Sequence, residues 1–112
     1  MERKHIQSIW MDHIISGKKT WEGRCNFGTW KYVEVGDRIV LTDALREQSV
    51  EIEDIKYFGD FGEAWFILGD SLIPPEVCDI VMKSQADNIY RKYYTDHFIR
   101  ENGVIAFKLK LI

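Results

Sequence analysis

The chain predicts an α+β domain, a small mixed sheet that curls into a β-barrel with flanking helices, on three observations. Its periodic segments run helix, strand, strand, strand, helices, strand over 112 residues. The segment from Val104 alternates Ile105, Phe107, Leu109 and Leu111 against Ala106, Lys108 and Lys110, the period of a strand with one wet face. A C-terminal strand that returns to earlier ones closes such a sheet while the helices cover its outside. The same order also fits an open α+β sheet.

Composition describes one globular domain, residues 1–112, with 46% hydrophobic and 29% charged residues. Aromatic residues at 13% argue against disorder. The net charge of −3 excludes a whole-surface DNA binder. Charge is uneven, however. Residues 47–79 hold nine acids and a single base, Lys56, so the rest of the chain is net basic and suited to present an anion-attracting face. Cys25 and Cys78 form no CxxC pair and read as free thiols of a reducing compartment. Without a membrane-length apolar run or an N-terminal h-region, the expected location is cytoplasmic. His5, His13 and His97 lack metal-ligand spacing, and Asp60, Glu63 and Asp70 lack that of an EF-hand, so no metal or other cofactor is expected.

Taken in order, Ile6, Ile9, Trp10 and Ile14 mark one face of a first helix, with Ser8 near its start. Gly17 supplies its left-handed stop. Residues 18–24 read as extended, and 25–36 as a loop around Phe27 and Trp30 that ends in the turn Val35-Gly36-Asp37. Arg38–Thr42 is a buried strand, 43–48 a connection, and Val50 to Phe58 a strand broken near Asp54-Ile55. Phe61, Ala64, Trp65 and Leu68 place a short helix over 61–68, with Trp65 in the core. Pro74-Pro75 predicts another helix start, with Glu76 and Asp79 at its positive end, Val77, Ile80 and Val81 as its apolar face, and Cys78 buried among them. Residues 87–99 form a third polar-aromatic helical segment, and Asn102-Gly103 a turn.

The run Gly17-Lys18-Lys19-Thr20-Trp21-Glu22-Gly23-Arg24 concentrates long charged side chains at a helix-to-strand junction. Strand alternation groups Thr20, Glu22 and Arg24 on one face and Lys19, Trp21 and Gly23 on the other. Distortion at the strand entrance brings the Lys19 ammonium within reach of Glu22. Glu22 then pairs with Lys19 or with Arg24. A carboxylate so held suits a base's amino edge, and an Arg suits a phosphate or carbonyl. The plain alternative is a solvated strand with ordinary surface charges.

The spacing Gly17-x-Lys19-x-x-Glu22-x-Arg24 resembles the signature of the ASCH family, which is related to the PUA RNA-binding domains. The helix Trp10–Gly17, the strand Gly36–Val40 and the closing strand Gly103–Phe107 extend the resemblance over nearly the whole chain. It implies a small β-barrel with a cleft beside the motif, and RNA or a nucleotide as ligand. One small bacterial branch hydrolyses the acetyl amide of N4-acetylcytidine with a Lys, a Thr and a Glu. Its Lys falls on Lys19 and its Thr on Glu22, a departure at the hydroxyl position; Thr20 stands two residues away. Another branch has nuclease activity.

Tyr90, Arg91, Lys92, Tyr93 and Tyr94 combine phenols with cations, as single-strand recognition surfaces do. Tyr90 and Tyr94 share a helical face, with Arg91 alongside. The same pattern describes a helix that packs its tyrosines on the core. The leading expectation is RNA or nucleotide recognition, with single-stranded RNA, a nucleoside or a nucleotide held by Lys19, Thr20, Glu22, Arg24, Tyr90, Arg91 and Tyr94. One alternative is an amidohydrolase of a modified pyrimidine nucleoside, with Lys19 as base or nucleophile and Glu22 orienting it. The others are a ribonuclease and a protein-interaction module whose basic partner meets the acidic 47–79 segment.

Overall fold

A computed structural model describes residues 2–112. The chain begins with strand β1 (Glu2–His5), enters helix α1 (Ser8–Ile15), and returns as β2 (Trp21–Cys25). A 3-10 turn over Gly28–Tyr32 leads to β3 (Arg38–Thr42) and the long β4 (Glu47–Phe58). Helices α2 (Phe61–Leu68), α3 (Lys83–Tyr90) and α4 (Asp96–Asn102) precede the last strand, β5 (Val104–Leu111).

The five strands form one sheet in the order β1-β3-β4-β5-β2. β1 runs parallel to β3, and the other pairs are antiparallel. β1 and β2 are therefore the two edges, joined in sequence by α1. The sheet curls into an open half-barrel and does not close, so the expected mixed, curled sheet with flanking helices is present and only the closure of the barrel is missing. One reason is visible at the seam: the Arg24 guanidinium on β2 donates to the His5 carbonyl at the end of β1, 3.0 Å away. A side chain, not a ladder of backbone bonds, spans the gap.

Burial explains the local structure. Trp10, Met11 and Ile14 carry α1 onto the core, whereas Ile9 is 50% exposed, so Met11 takes the inner position expected of Ile9. Ser8 is the first helical residue, and Gln7 occupies the cap position without a side-chain bond. Gly17 has φ +84° just past the helix end, the left-handed stop expected from the sequence. β3 matches its predicted span, and β4 carries a register shift between Ile52 and Asp54, next to the predicted break. β5 differs from the expected half-wet strand. Val104, Ile105, Ala106 and Phe107 are all buried, because helices cover the outer face of its first half; toward its end Lys108 is half-buried and Lys110 and Leu111 are exposed.

The helix predicted from Pro74 is absent. One turn forms, with Val77 N–H and Cys78 N–H donating to the Pro74 carbonyl, and it does not propagate. Its predicted apolar face is used only in part: Val77 and Ile80 pack against the core, whereas Val81 is 74% exposed and Cys78 only half-buried. Residues 87–99 are likewise two helices with a bend at 91–95, not one segment. α2 spans its predicted residues, with the Asp60 carboxylate capping it through the Glu63 N–H at 2.8 Å. Trp65 packs against the core only in part. No helix among the described residues is long and apolar enough to cross a membrane.

Candidate functional site

The site lies at the open seam, where β2, the end of β1, α1 and the α3–α4 bend meet. β2 is buried on nearly every residue, so its two charged side chains must be paired internally. Glu22 is 3% exposed. Its Oε2 accepts from Arg24 Nε at 3.1 Å and from Arg24 Nη2 at 2.9 Å. Its Oε1 lies 3.4 Å from the Lys19 ammonium. Glu22 therefore pairs with both cations, where the sequence posed a choice between them.

Lys19 sits deeper. Its backbone N–H donates to the His13 carbonyl, which turns the chain sharply after α1. Its Nζ donates to the Trp21 carbonyl at 2.6 Å and the Leu72 carbonyl at 2.5 Å, and lies 4.8 Å from the centre of the Trp10 ring. With Glu22, these partners occupy the three N–H bonds of an ammonium. Burial lowers its pKa from 10.5 to about 8, against the raising pull of Glu22. Lys19 is walled off from the cavity by the residues it holds.

The cavity in front of Glu22 has about 120 Å³, lined by Glu22, Gly23, Arg24, Trp10, Tyr90 and Tyr94, with His5, Gln7 and Tyr93 at its rim. Its walls are aromatic. Tyr90 stacks on Phe61 with centroids 3.8 Å apart and lies parallel to Trp10 at 6.3 Å. Tyr94 continues the array onto Phe61 and Phe98. Across Tyr93 and Tyr94 the cavity adjoins a wider cleft of about 420 Å³, lined also by Cys25, Phe27, Trp30, Thr95 and Phe98. Trp30 lies 5.0 Å from the Arg24 guanidinium and 5.0 Å from the Lys4 ammonium, so one ring faces two cations. Gly23 forms the floor. A Cβ there would lie 3.3 Å from Leu72 and 3.6 Å from the Tyr90 hydroxyl.

Tyr90 is 4% exposed, and its Oη has no hydrogen-bond partner, alone among buried side-chain polar atoms of the described residues. Burial, then the nearby Glu22 charge, raises its pKa well above the ordinary value. Burial also raises that of Tyr94.

The structure thus gathers Glu22, Arg24, Tyr90 and Tyr94 at one cavity, with Lys19 behind them. Thr20 does not line it; its backbone bonds Ser71 and Leu109. Arg91 is turned to the other side of α3, where it donates to Asp96 at 2.8 Å and to Asn88. Several acids of the 47–79 segment are engaged within the chain. Glu47 pairs with Arg3, Glu51 with Arg38, Glu53 with Lys108, and Glu76 with Lys18. Among the described residues, no group of three or more His, Cys, Asp and Glu side chains is placed to hold a metal. Trp10, His5, Gln7 and Phe98 line the site without a sequence signal that singles them out for it, whereas Tyr93 belongs to the aromatic-cationic run the sequence marks. Trp10 is a large aromatic one helix ahead of the charged run, but its helical spacing assigns it to the core.

No protein-family model matches the sequence, and no curated protein matches it. Solved structures do. The crystal structure of the hypothetical protein PH0355 superposes with a TM-score of 0.87 at 22% identity, over 100% of both chains. The solution structure of protein PF0455 from Pyrococcus furiosus gives 0.77 at 20% identity, over 99% of this chain and 96% of that one. The crystal structure of ASCH from Zymomonas mobilis gives 0.63 at 20% identity, over 96% of this chain and 65% of that one. The chain shares the fold of these structures, that of ASCH from Zymomonas mobilis among them.

Proposed function

We propose that the seam cleft binds RNA or a nucleotide by taking up a base against its aromatic wall. The observation that carries this reading is the parallel array of Trp10, Tyr90 and Tyr94 beside the Arg24 guanidinium, in a cavity that widens into a second aromatic cleft. Stacking surfaces next to a cation suit unpaired bases and their phosphates. The ASCH-like fold agrees with that reading. The commitments of Lys19 favour binding over amide hydrolysis. Its amine is tied to two carbonyls and a carboxylate, which suits it to fix Glu22 and not to attack a substrate. The acidic segment spends several carboxylates on neighbouring bases, which leaves less charge for a protein partner.

The test is an amide-shift titration with a short single-stranded RNA, run at low and high salt. Saturable shifts at residues 22–25 and 90–95, weaker at high salt, are expected. Tyr94→Ala is expected to weaken binding by about 1–3 kcal/mol through lost stacking. Shifts confined to the β4 face, or binding indifferent to salt, would sink the proposal. N4-acetylcytidine followed in parallel separates the alternative, since loss of its acetyl signal would identify a hydrolase.

A further inference from the structure

We infer that the inner cavity selects a base by a ring carbonyl, and that Tyr90 is the specificity-determining residue that donates a hydrogen bond to it. This deepens the base-recognition reading above and rests on it. The sequence suggested the opposite polarity, with Glu22 accepting from an exocyclic amine. In the structure that carboxylate is already occupied, with Lys19 against one oxygen and two Arg24 nitrogens on the other. It has little capacity left for a ligand donor.

What the cavity offers instead is a guanidinium, which only donates, and a phenol, which can donate or accept and which the neighbouring positive charge biases toward a ligand oxygen. The Tyr90 hydroxyl is buried and unpartnered, and it lies 3.6 Å from where a Cβ on Gly23 would stand, Tyr90 and Gly23 both being lining residues of the cavity. Its ring stacks on Phe61 and lies parallel to Trp10, so the position of the hydroxyl oxygen is fixed before any ligand arrives. Arg24 uses Nε and Nη2 for Glu22 and the His5 carbonyl, and none of these bonds uses Nη1. Two cations against one carboxylate leave the site one unit positive, which favours an oxygen carrying negative or partial negative charge. The walls are flat and aromatic, which suits a planar ring better than a tetrahedral anion. A keto base presents such an oxygen at the edge where cytosine presents an amino group. The ligand class is therefore a 4-keto pyrimidine or an equivalent keto-bearing base.

The experiment titrates wild type and Tyr90→Phe with uridine, cytidine and inorganic phosphate, and melts both proteins. Wild type is expected to bind uridine about fivefold or more tighter than cytidine, the worth of one hydrogen bond. Tyr90→Phe is expected to abolish that preference and to melt no lower than wild type, because the lost hydroxyl had no partner in the free protein. Equal binding of the two nucleosides by wild type overturns the inference and leaves base recognition standing. A preference retained in Tyr90→Phe overturns it too, as does phosphate that competes with uridine in a Tyr90-dependent manner. No binding of either nucleoside or of RNA removes both readings.

Discussion

Lys19 shows what one buried charge does to this molecule. It is fully enclosed, yet its pKa falls only to about 8, because Glu22 offsets part of the burial cost. Between about pH 8 and its ordinary 10.5 the unfolded chain binds a proton that the folded chain has released. This residue's contribution to stability therefore rises with pH across that window. Cys25 acts in the other direction. Burial raises its thiol from 9.0 to about 11, so the folded chain keeps a proton that the unfolded chain loses and stability declines there. A comparison with Lys19→Met cancels Cys25, which both proteins share. The variant is expected to lose about 3 kcal/mol in urea unfolding near neutral pH, since two carbonyls and a buried carboxylate lose a partner. The gap is then expected to widen by about 1 kcal/mol per pH unit above pH 8. A gap that stays constant with pH would mean that Lys19 titrates as an exposed lysine does. The spacing marks Lys19 as a neighbour of Glu22, but its full burial was not legible in the sequence, where Lys18 and Lys19 are adjacent lysines. Only the turn after Gly17 sends one to water and the other to the core.

At the scale of elements, the aromatic wall depends on how closely α2 and α3 cross. Gly62 is the point of contact. A Cβ there would lie 2.9 Å from both the Lys83 carbonyl and the Lys83 Cβ, and its N–H donates to Asp87 at 3.0 Å. That crossing lets Phe61 and Tyr90 stack. Gly62→Ala is expected to cost about 1–3 kcal/mol, measured by denaturant unfolding, because backbone must move to admit the methyl. An unchanged midpoint would show that the two helices separate freely. Where an element has its own periodicity, the sequence announced it: α2, β3 and the bulged β4 lie at or near their predicted spans. Gly62 carries no local signal in the sequence, because its role is set by a helix about twenty residues later. Pro74-Pro75 announced a helix of which a single turn forms, although Val77 and Ile80 still pack on the core. β1 was invisible, since Glu-Arg-Lys-His has no strand pattern of its own and is ordered by parallel pairing with β3.

For the molecule as a whole, the unequal edges set where order is weakest. β4 and β5 are paired on both sides along the middle of the sheet, while four-residue β1 is held by β3 alone. Amide exchange is expected to be fastest, among the strands, in β1 and slowest where β4 meets β5, with protection of β1 increasing when the seam cleft is filled. Uniform protection across the strands would mean that the two edges are coupled more strongly than the single Arg24–His5 bond provides. The charged run from Gly17 to Arg24 was legible as the place to look, but the seam was not, since it belongs to the pairing order and to no local stretch of sequence. That gap also bears on the geometry of access. A ring of strands closed on itself admits a long polymer only by its end, whereas a half-barrel is entered from the side. With Phe27 and Tyr93 exposed at the rim, the cleft opens laterally, and the proposed base recognition would then reach a nucleotide in the interior of an uncut strand with no free terminus to thread.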